Sequence, residues 1–174
     1  METHFAAAHF GKGSVVREAW ALAPEAAWLA FVDADGSVTA EEMIGLIERA
    51  VTSDSSVLGI RKRTATTRVV ESPWRSVFHR GFLVAVHLLL DFKCEDPQCG
   101  AKVLRGSDYR RVAGGLRERG LAFDSELLCA LNYEGATWLE IPVNWVEKPG
   151  GKVKPLRDAW TMLAALLRTR RRME

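Results

Sequence analysis

The sequence has no uninterrupted run of about 18 apolar residues, the length that a membrane-spanning helix needs. We therefore predict no spanning helix. We also expect no signal peptide, because a basic start followed by a clean apolar stretch is missing. Only three cysteines are present, without zinc-ligand spacing, so we expect no disulfide framework and infer a reducing compartment. Internal repeats, low-complexity tracts and a phosphate-binding P-loop are absent as well.

The composition is that of a soluble globular protein. Apolar residues make up 48% and charged residues 26% of the 174 positions, which predicts one domain with a sizeable core. The formal net charge of +2 hides an asymmetry, because residues 148–174 carry +6 and residues 1–147 carry −4. This asymmetry predicts an anionic partner for the C-terminal end, such as a phosphate, a nucleic acid or a membrane surface.

Two aspartates follow an apolar run at the point around which the chain is organised. Trp28–Val32 predicts a buried strand, Asp33 and Asp35 come next, and Thr39 with Glu42 predicts a capping box. Ligands of open α/β sheets bind beyond the carboxyl ends of strands, and carboxylates suit hard divalent cations. We therefore predict that Asp33 and Asp35 bind Mg²⁺ or Mn²⁺.

Two other interpretations of this stretch stay open. It matches several positions of an EF-hand calcium loop, although Phe31 falls on the first ligand position and cannot bind a cation. An Asp-Gly turn after a strand is also ordinary turn chemistry without a ligand. An Asp-x-Asp motif alone is weak, so the remaining motifs have to decide.

Apolar periodicity and turn residues predict the other elements. Helices are expected over 14–23, 40–52, 74–90, 108–119, 127–133 and from Pro155 onward, strands over 57–60, 102–105 and 138–146, and a loop over 64–72. His79 and His87 are interpreted as surface residues of the third helix. The last helix combines an apolar face with an arginine cluster. That pattern is typical both of a helix at a lipid interface and of a helix packed on the domain.

Short motifs along the chain follow the order known from one enzyme family. They are Gly11-Lys12-Gly13 with Val16-Arg17, then residues 31–35, 59–61, 96–102, 122–128, 141–145 and 149–153. Together they resemble family-2 glycosyltransferases of the GT-A fold, above all the polyprenyl- and dolichyl-phosphate sugar transferases of the dolichyl-phosphate β-glucosyltransferase type. The similarity covers residues 10–155. Ile60, Pro97 and Gly151 depart from it, because each stands where the family has a hydroxyl side chain.

The resemblance implies an α/β fold in which a Rossmann-like mixed sheet is flanked by helices. Members of the family begin with a βαβ unit that supplies much of the nucleotide pocket, whereas ten residues precede Gly11 here. We therefore expect an N-terminally truncated GT-A domain over residues 1–154, followed by an amphipathic basic helix over residues 155–174.

The resemblance also implies the reaction and the donor site. A sugar, such as glucose or mannose, would move with inversion from a nucleotide sugar to a dolichyl or polyprenyl phosphate. Mg²⁺ or Mn²⁺ at Asp33 and Asp35 would offset the charge that builds on the nucleoside diphosphate leaving group. Gly11 and Lys12 are expected to bind the nucleotide sugar together with these aspartates.

The acceptor phosphate is already ionised near neutral pH, so it needs cations that hold it in line rather than a strong base. Arg61, Arg75 and Lys152 are the candidates, because an arginine fork binds phosphate in a bidentate way. Arg80 is a weaker one.

Four acidic or amide side chains are expected to line the cleft as catalytic residues: Asp96, Gln98, Asp124 and Glu126. Asp96 is favoured as a base or as the carboxylate that stabilises oxocarbenium character. Asp124 is equally well explained as a helix cap.

Other functions stay open at this stage. The main alternative is a non-catalytic GT-A-like remnant that binds a partner or a membrane surface, and a calcium module is another. No nucleic-acid partner is expected, because no aromatic and basic stacking motif is present. We expect a peripheral location at the cytoplasmic face of a membrane, little activity of this chain alone, and self-association through an uncovered sheet edge.

Overall fold

The computed structural model describes residues 10–90, 92–148 and 155–173, without the side chains of residues 75, 78 and 155–159. It has the expected α/β architecture, a mixed four-stranded sheet flanked by helices, with a separate two-stranded sheet. This arrangement is compatible with a Rossmann-like GT-A fold.

The helices and strands follow the predicted order. The helices are α1 Lys12–Ala21, α2 Ala40–Ser53, α3 Pro73–Leu90, α4 Gly106–Val112, α5 Phe123–Tyr133 and α6 Pro155–Met173, and a 3₁₀ turn covers Ala113–Gly115. The strands are β1 Trp28–Val32, β2 Ser56–Ile60, β3 Val69–Val70, β4 Ala101–Arg105, β5 Trp138–Pro142 and β6 Trp145–Val146.

Three of the expected elements were wrong. The strand expected over 138–146 is divided into β5 and β6, which belong to different sheets. The helix predicted to run to residue 119 ends at Val112, because the chain continues as the 3₁₀ turn and then becomes extended at Leu116. The backbone N–H groups of Arg117 and Glu118 donate to the Glu126 carboxylate instead of to a helix. The predicted loop over 64–72 contains β3, which pairs in parallel with β6.

The capping box of α2 is confirmed only in part. Thr39 Oγ1 accepts a hydrogen bond from the Glu42 backbone N–H, as a capping residue should. The Glu42 carboxylate instead accepts from Asn144 Nδ2 at 2.6 Å. The contact joins α2 to the segment between β5 and β6.

The sheet topology explains where the motifs meet. The strand order is β1-β4-β2-β5, in which β4 runs antiparallel to both β1 and β2, and β2 runs parallel to β5. The strands β1, β2 and β5 therefore point the same way. Their carboxyl ends therefore lie at the same end of the sheet as the start of β4.

Alternate residues of each strand face two separate cores. Leu29, Leu58 and Leu104 face the core formed with α1, α3, α4, α5 and α6. Val57 and Val103 face the other core, which α2 and the small sheet cover. All residues of β2 are buried, as expected of a central strand.

The last helix packs on the domain through one face. Leu166 and Thr169 of α6 are buried, and α6 contacts both α3 and α5. Arg168 and Arg172 form ion pairs with Glu118. One face of α6 is therefore packed on the domain, as one of the two alternatives predicted. Two arginines of the cluster form ion pairs within the domain.

Two predicted absences can be compared with the described part of the chain. The three cysteines are buried and form no disulfide, as predicted. Each helix between residues 10 and 173 that the structure describes is too short or too polar to cross a bilayer.

Candidate active site

The motif residues that follow β1 and β2 meet those that precede β4. The Asp33 backbone N–H donates to the Gly100 carbonyl at 2.7 Å. The Arg61 backbone N–H donates to Asp96 Oδ2 at 3.0 Å. Three stretches that are far apart in the sequence thus form one end of the sheet.

Gly100 is required by this close approach. A Cβ atom placed at Gly100 would overlap the Asp33 carboxylate. Any side chain there would push Asp33 away from the end of the sheet. The glycine of the 96–102 motif therefore serves the placement of an aspartate from another motif.

A partly buried lysine binds the first aspartate of the pair. Lys12 Nζ lies 2.9 Å from Asp33 Oδ1 and 2.8 Å from Asp124 Oδ2. The other oxygen of Asp124 lies 2.8 Å from Lys102 Nζ, which also donates to the Cys99 carbonyl at 2.6 Å. We call Asp33, Lys12, Asp124 and Lys102 the Lys12 network, a row of alternating charges.

Neighbouring charges favour the ionised forms of Lys12 and Asp124. Burial alone would lower the pKa of Lys12, but the charges of Asp124 and Asp33 outweigh burial and raise it above its ordinary value. Burial alone would raise the pKa of Asp124, but Lys102 and Lys12 lower it below its ordinary range. The alternative role of Asp124 as a helix cap is wrong, because α5 has no side-chain cap.

Two glycines place Lys12 between its carboxylates. Gly11 has a φ of +98°, which favours glycine, and a Cβ atom there would overlap the Arg119 carbonyl. A Cβ atom at Gly13 would overlap the side chain of Phe123. The start of α1 can therefore approach the start of α5 closely. The Lys12 ammonium also lies 4.6 Å from the centre of the Phe31 ring, a favourable cation–π distance.

A second charged cluster lies at the end of β2. Arg61 binds Asp96 in a bidentate way, through Nε at 2.6 Å and Nη2 at 2.8 Å, and the guanidinium lies over the Trp145 ring. Burial alone would raise the pKa of Asp96, but the hydrogen bonds and charge of Arg61 outweigh burial and lower it. The residue predicted as base and the residue predicted to bind phosphate are therefore partners, which the sequence analysis did not anticipate.

The other predicted site residues lie in different surroundings. Asp35 is exposed and accepts a hydrogen bond from the Ser37 backbone N–H, which forms a turn. Gln98 reaches α6, with Nε2 3.8 Å from the Met162 sulfur. Arg80 is exposed on α3, whereas the side chain of Arg75 and all of Lys152 lie outside the described residues.

Glu126 is not gathered with the Lys12 network. Its carboxylate accepts from the backbone N–H groups of Arg117 and Glu118 and pairs with Arg172 at 2.7 Å. These contacts fasten the loop before α5 and the end of α6. They indicate a structural role for a side chain that we predicted to be catalytic.

Asp33 and Asp35, which follow β1, could supply only some of the oxygen ligands that a divalent cation needs. Asp33 and Asp35 offer carboxylate oxygens, and the ion pair with Lys12 indicates that positive charge is favoured beside Asp33. Within the described residues, no group of three or more acidic, histidine or cysteine side chains forms a ready metal site. Any Mg²⁺ or Mn²⁺ here would need further oxygens from a bound diphosphate and water.

Two residues of these clusters, Lys102 and His79, were not predicted from the sequence. Lys102 is fully buried in β4, and a lysine at the start of a predicted strand is the signal that could have indicated a buried anionic partner. His79 was interpreted as a surface residue, which is wrong, because its Nδ1 lies 3.1 Å from Arg61 Nη2. Periodicity alone could not show that this face of α3 meets the Asp96 turn.

The fold and the charged clusters can be compared with a known class of protein before any relative is considered. An α/β domain with paired aspartates after a strand, beside a partly buried lysine at the same sheet edge, is compatible with the GT-A glycosyltransferases. No protein-family model matches the chain.

Proteins of similar sequence indicate which glycosyltransferases the chain resembles. The chain is 28% identical over 169 residues to a dolichyl-phosphate β-glucosyltransferase of Dictyostelium discoideum, an alignment that covers 92% of this chain and 50% of that protein. It is 27% identical over 170 residues to the Saccharomyces cerevisiae protein of that name, covering 90% and 51%. It is 28% identical over 160 residues to the glycosyltransferase AglD of Haloferax volcanii, covering 91% and 25%.

These similarities confirm the resemblance that the motifs indicated. The chain is similar to dolichyl-phosphate β-glucosyltransferases over about nine tenths of its own length. It spans about half the length of those relatives and a quarter of AglD.

Proposed function

We propose that the chain is part of a glycosyltransferase that moves a sugar from a nucleotide sugar to a dolichyl or polyprenyl phosphate. The observation that carries the proposal is the meeting of Asp33, Lys12 and Asp124 at the carboxyl end of β1. Its support is the similarity of nearly the whole chain to proteins named for dolichyl-phosphate glucosyl transfer.

The donor's diphosphate would lie beyond β1. Asp33 and Asp35 would hold Mg²⁺ or Mn²⁺, which offsets negative charge on a diphosphate leaving group. Lys12 and Gly11 would lie beside the same phosphates. Lys12 is bound on one side by Asp124, so it is held at the sheet edge at little cost in side-chain entropy.

The acceptor would lie beside Arg61, with Arg75 and Lys152 as further cations. An acceptor phosphate oxygen forms the bond to the anomeric carbon while the bond to the diphosphate breaks, and the electron pair leaves with the nucleoside diphosphate. Attack from the face opposite the leaving group gives inversion. No proton has to be removed from an ionised phosphate, so the step needs no strong base.

This chemistry changes the role proposed for Asp96. A carboxylate whose pKa is lowered by Arg61 is a poor proton acceptor at neutral pH. Asp96 would instead orient the guanidinium toward the acceptor and add negative charge near a developing oxocarbenium ion. Asp124 would keep Lys12 and Lys102 in place, which is a positioning role.

A transfer assay tests the proposal. Radiolabelled glucose and mannose nucleotide sugars would be supplied with a short polyprenyl phosphate and Mn²⁺, and the anomeric configuration of any product would be determined by NMR. Lipid-linked product of inverted configuration supports the proposal. Binding of the nucleotide sugar without transfer favours the non-catalytic alternative.

The location and assembly of the chain remain proposals too. Because a polyprenyl phosphate resides in a membrane, we propose a peripheral position at the cytoplasmic face. Self-association through β1, an edge strand of the sheet, is a further proposal that sedimentation can test.

A further inference from the structure

Lys12 has two carboxylate partners that are held very differently. The Asp124 side chain is 3% exposed, and its second oxygen is bound by Lys102, which in turn donates to the Cys99 carbonyl. The Asp33 side chain is 42% exposed at the end of β1. The contact of Lys12 with Asp124 is therefore the fixed one, and the contact with Asp33 is the one that an incoming ligand can reach.

The formal charges of the Lys12 network balance one another. Two ammonium groups face two carboxylates, so the sum is zero. Lys12 thereby already supplies the positive charge that the Asp33 carboxylate would otherwise draw from a cation in solution. A divalent cation on Asp33 would bring two further positive charges close to the Lys12 ammonium. Even in water, a unit charge about 6 Å away lowers the affinity for a divalent cation about tenfold.

A diphosphate offers Lys12 a different partner. Phosphate oxygens accept charge-assisted hydrogen bonds from a lysine ammonium, as carboxylate oxygens do. The ammonium has three N–H donors, and the contacts with Asp33 and Asp124 use two of them. Lys12 can therefore turn one donor from Asp33 to a phosphate oxygen while another stays on Asp124.

Lys102 fixes the point about which Lys12 would turn. The Lys102 side chain is fully buried and lies 2.8 Å from the Asp124 carboxylate. It belongs to β4, which pairs with β1 on one side and with β2 on the other. Lys102 therefore stays on Asp124 when Lys12 changes its second partner, which makes Lys102 a positioning residue.

We propose that Lys12 is a built-in counter-ion of Asp33, which makes binding of a divalent cation conditional on a diphosphate. Without a diphosphate, Lys12 stays on Asp33, and the cation alone binds weakly. With a diphosphate, Lys12 turns to a phosphate oxygen, remains on Asp124 and leaves Asp33 to the cation. This role of Lys12 rests on the proposed function, since it requires that a diphosphate binds beyond β1.

Binding of Mn²⁺ alone to the full chain, measured by electron paramagnetic resonance, tests the exchange. Lys12→Met removes the ammonium and keeps an unbranched side chain. We expect it to bind Mn²⁺ about tenfold more tightly than the parent chain, and a further Asp33→Asn substitution to abolish this gain. Lys62→Met is the matched control, because it also removes one positive charge, from an exposed ion pair with Glu95. It should leave the Mn²⁺ affinity unchanged.

Affinity for a nucleoside diphosphate should change in the opposite direction. Uridine and guanosine diphosphates would be titrated by calorimetry in excess Mn²⁺. Lys12→Met should bind the tighter of the two about tenfold more weakly than the parent chain, because it lacks the ammonium that contacts the phosphate. Lys62→Met should again match the parent. Opposite signs distinguish a counter-ion from a residue that only supports the fold, since loss of folding would weaken both kinds of binding.

NMR of the side-chain ammonium groups in the parent chain covers the case in which Lys12→Met does not fold. Mg²⁺, which is diamagnetic, would replace Mn²⁺. Addition of Mg²⁺ and the diphosphate together should shift the Lys12 signal, whereas the Lys102 signal should stay in place. Mg²⁺ alone at the same concentration should shift neither signal.

Two results would overturn the role of Lys12 and leave the donor site standing. They are equal Mn²⁺ affinities of Lys12→Met and Lys62→Met, and a Lys12 signal that Mg²⁺ with the diphosphate does not move, each in a chain that binds the diphosphate. A parent chain that binds neither diphosphate in the presence of Mn²⁺ would overturn the proposed donor site, and the role of Lys12 with it.

Discussion

Replacing Lys12 with methionine should destabilise the chain, because it leaves a buried aspartate with only one of its two lysines. The Lys12 side chain is 16% exposed and that of Asp124 is 3% exposed. Removing one partner of a buried ion pair costs about 3–5 kcal/mol. The lower end applies here, since Asp124 keeps Lys102 and the Asp33 side chain is 42% exposed.

The expected change is large enough to measure by thermal or urea unfolding. A loss of about 3 kcal/mol corresponds to a fall in Tm of about 6–12 °C for a chain of this size. Lys148→Met is the matched control, because Lys148 is exposed and surface substitutions change stability by less than about 0.5 kcal/mol.

The pH dependence gives an independent reading of the same contact. The folded pKa of Lys12 is raised above its ordinary value of 10.5. Its stabilising effect is therefore fully present below pH 10.5 and is lost as the pH rises through the folded pKa. The free energy of unfolding of Lys12→Met should lack this alkaline decrease. Equal stability of Lys12→Met and Lys148→Met at neutral pH would refute the reasoning.

Three further predictions follow from the same end of the sheet. Asp35→Asn should weaken Mn²⁺ binding measured by electron paramagnetic resonance in the presence of a nucleoside diphosphate, and unchanged affinity would exclude this aspartate as a ligand. Arg61→Ala and Arg75→Ala should weaken binding of a short polyprenyl phosphate while Mn²⁺ binding persists. The stability of both variants would also be measured, because Arg61→Ala removes the ion-pair partner of Asp96. Gly100→Ala should cost at least about 2 kcal/mol of unfolding free energy, whereas Gly114→Ala, with open space around it, should cost far less.

The sequence predicted most of the fold because apolar periodicity and turn residues are local signals. β1, α2, β2, α3 and β4 lie within a few residues of their expected bounds. One failure came from a contact distant in sequence. The segment expected to be a loop contains β3, because Val69 and Val70 pair with Trp145 and Val146.

The sequence allowed the motifs of the candidate site to be predicted, but not which side chains of different motifs contact each other. Spacing placed Asp33 after a strand and Lys12 at a helix start, but only the sheet order brings both beside Asp124. Arg61 and Asp96 were assigned separate roles for the same reason. Their pairing depends on β2 and β4 being neighbours in the sheet, which the sequence does not reveal.

The proposed sugar transfer requires that the end of β1 binds a nucleoside diphosphate together with a divalent metal. Titration calorimetry with several nucleoside diphosphates, with and without Mn²⁺, measures this binding on the chain as it stands. We expect Mn²⁺-dependent binding that Asp33→Asn abolishes and that Asp54→Asn, a substitution of an exposed aspartate, leaves intact. Binding that ignores Mn²⁺, or that survives Asp33→Asn unchanged, would contradict the account.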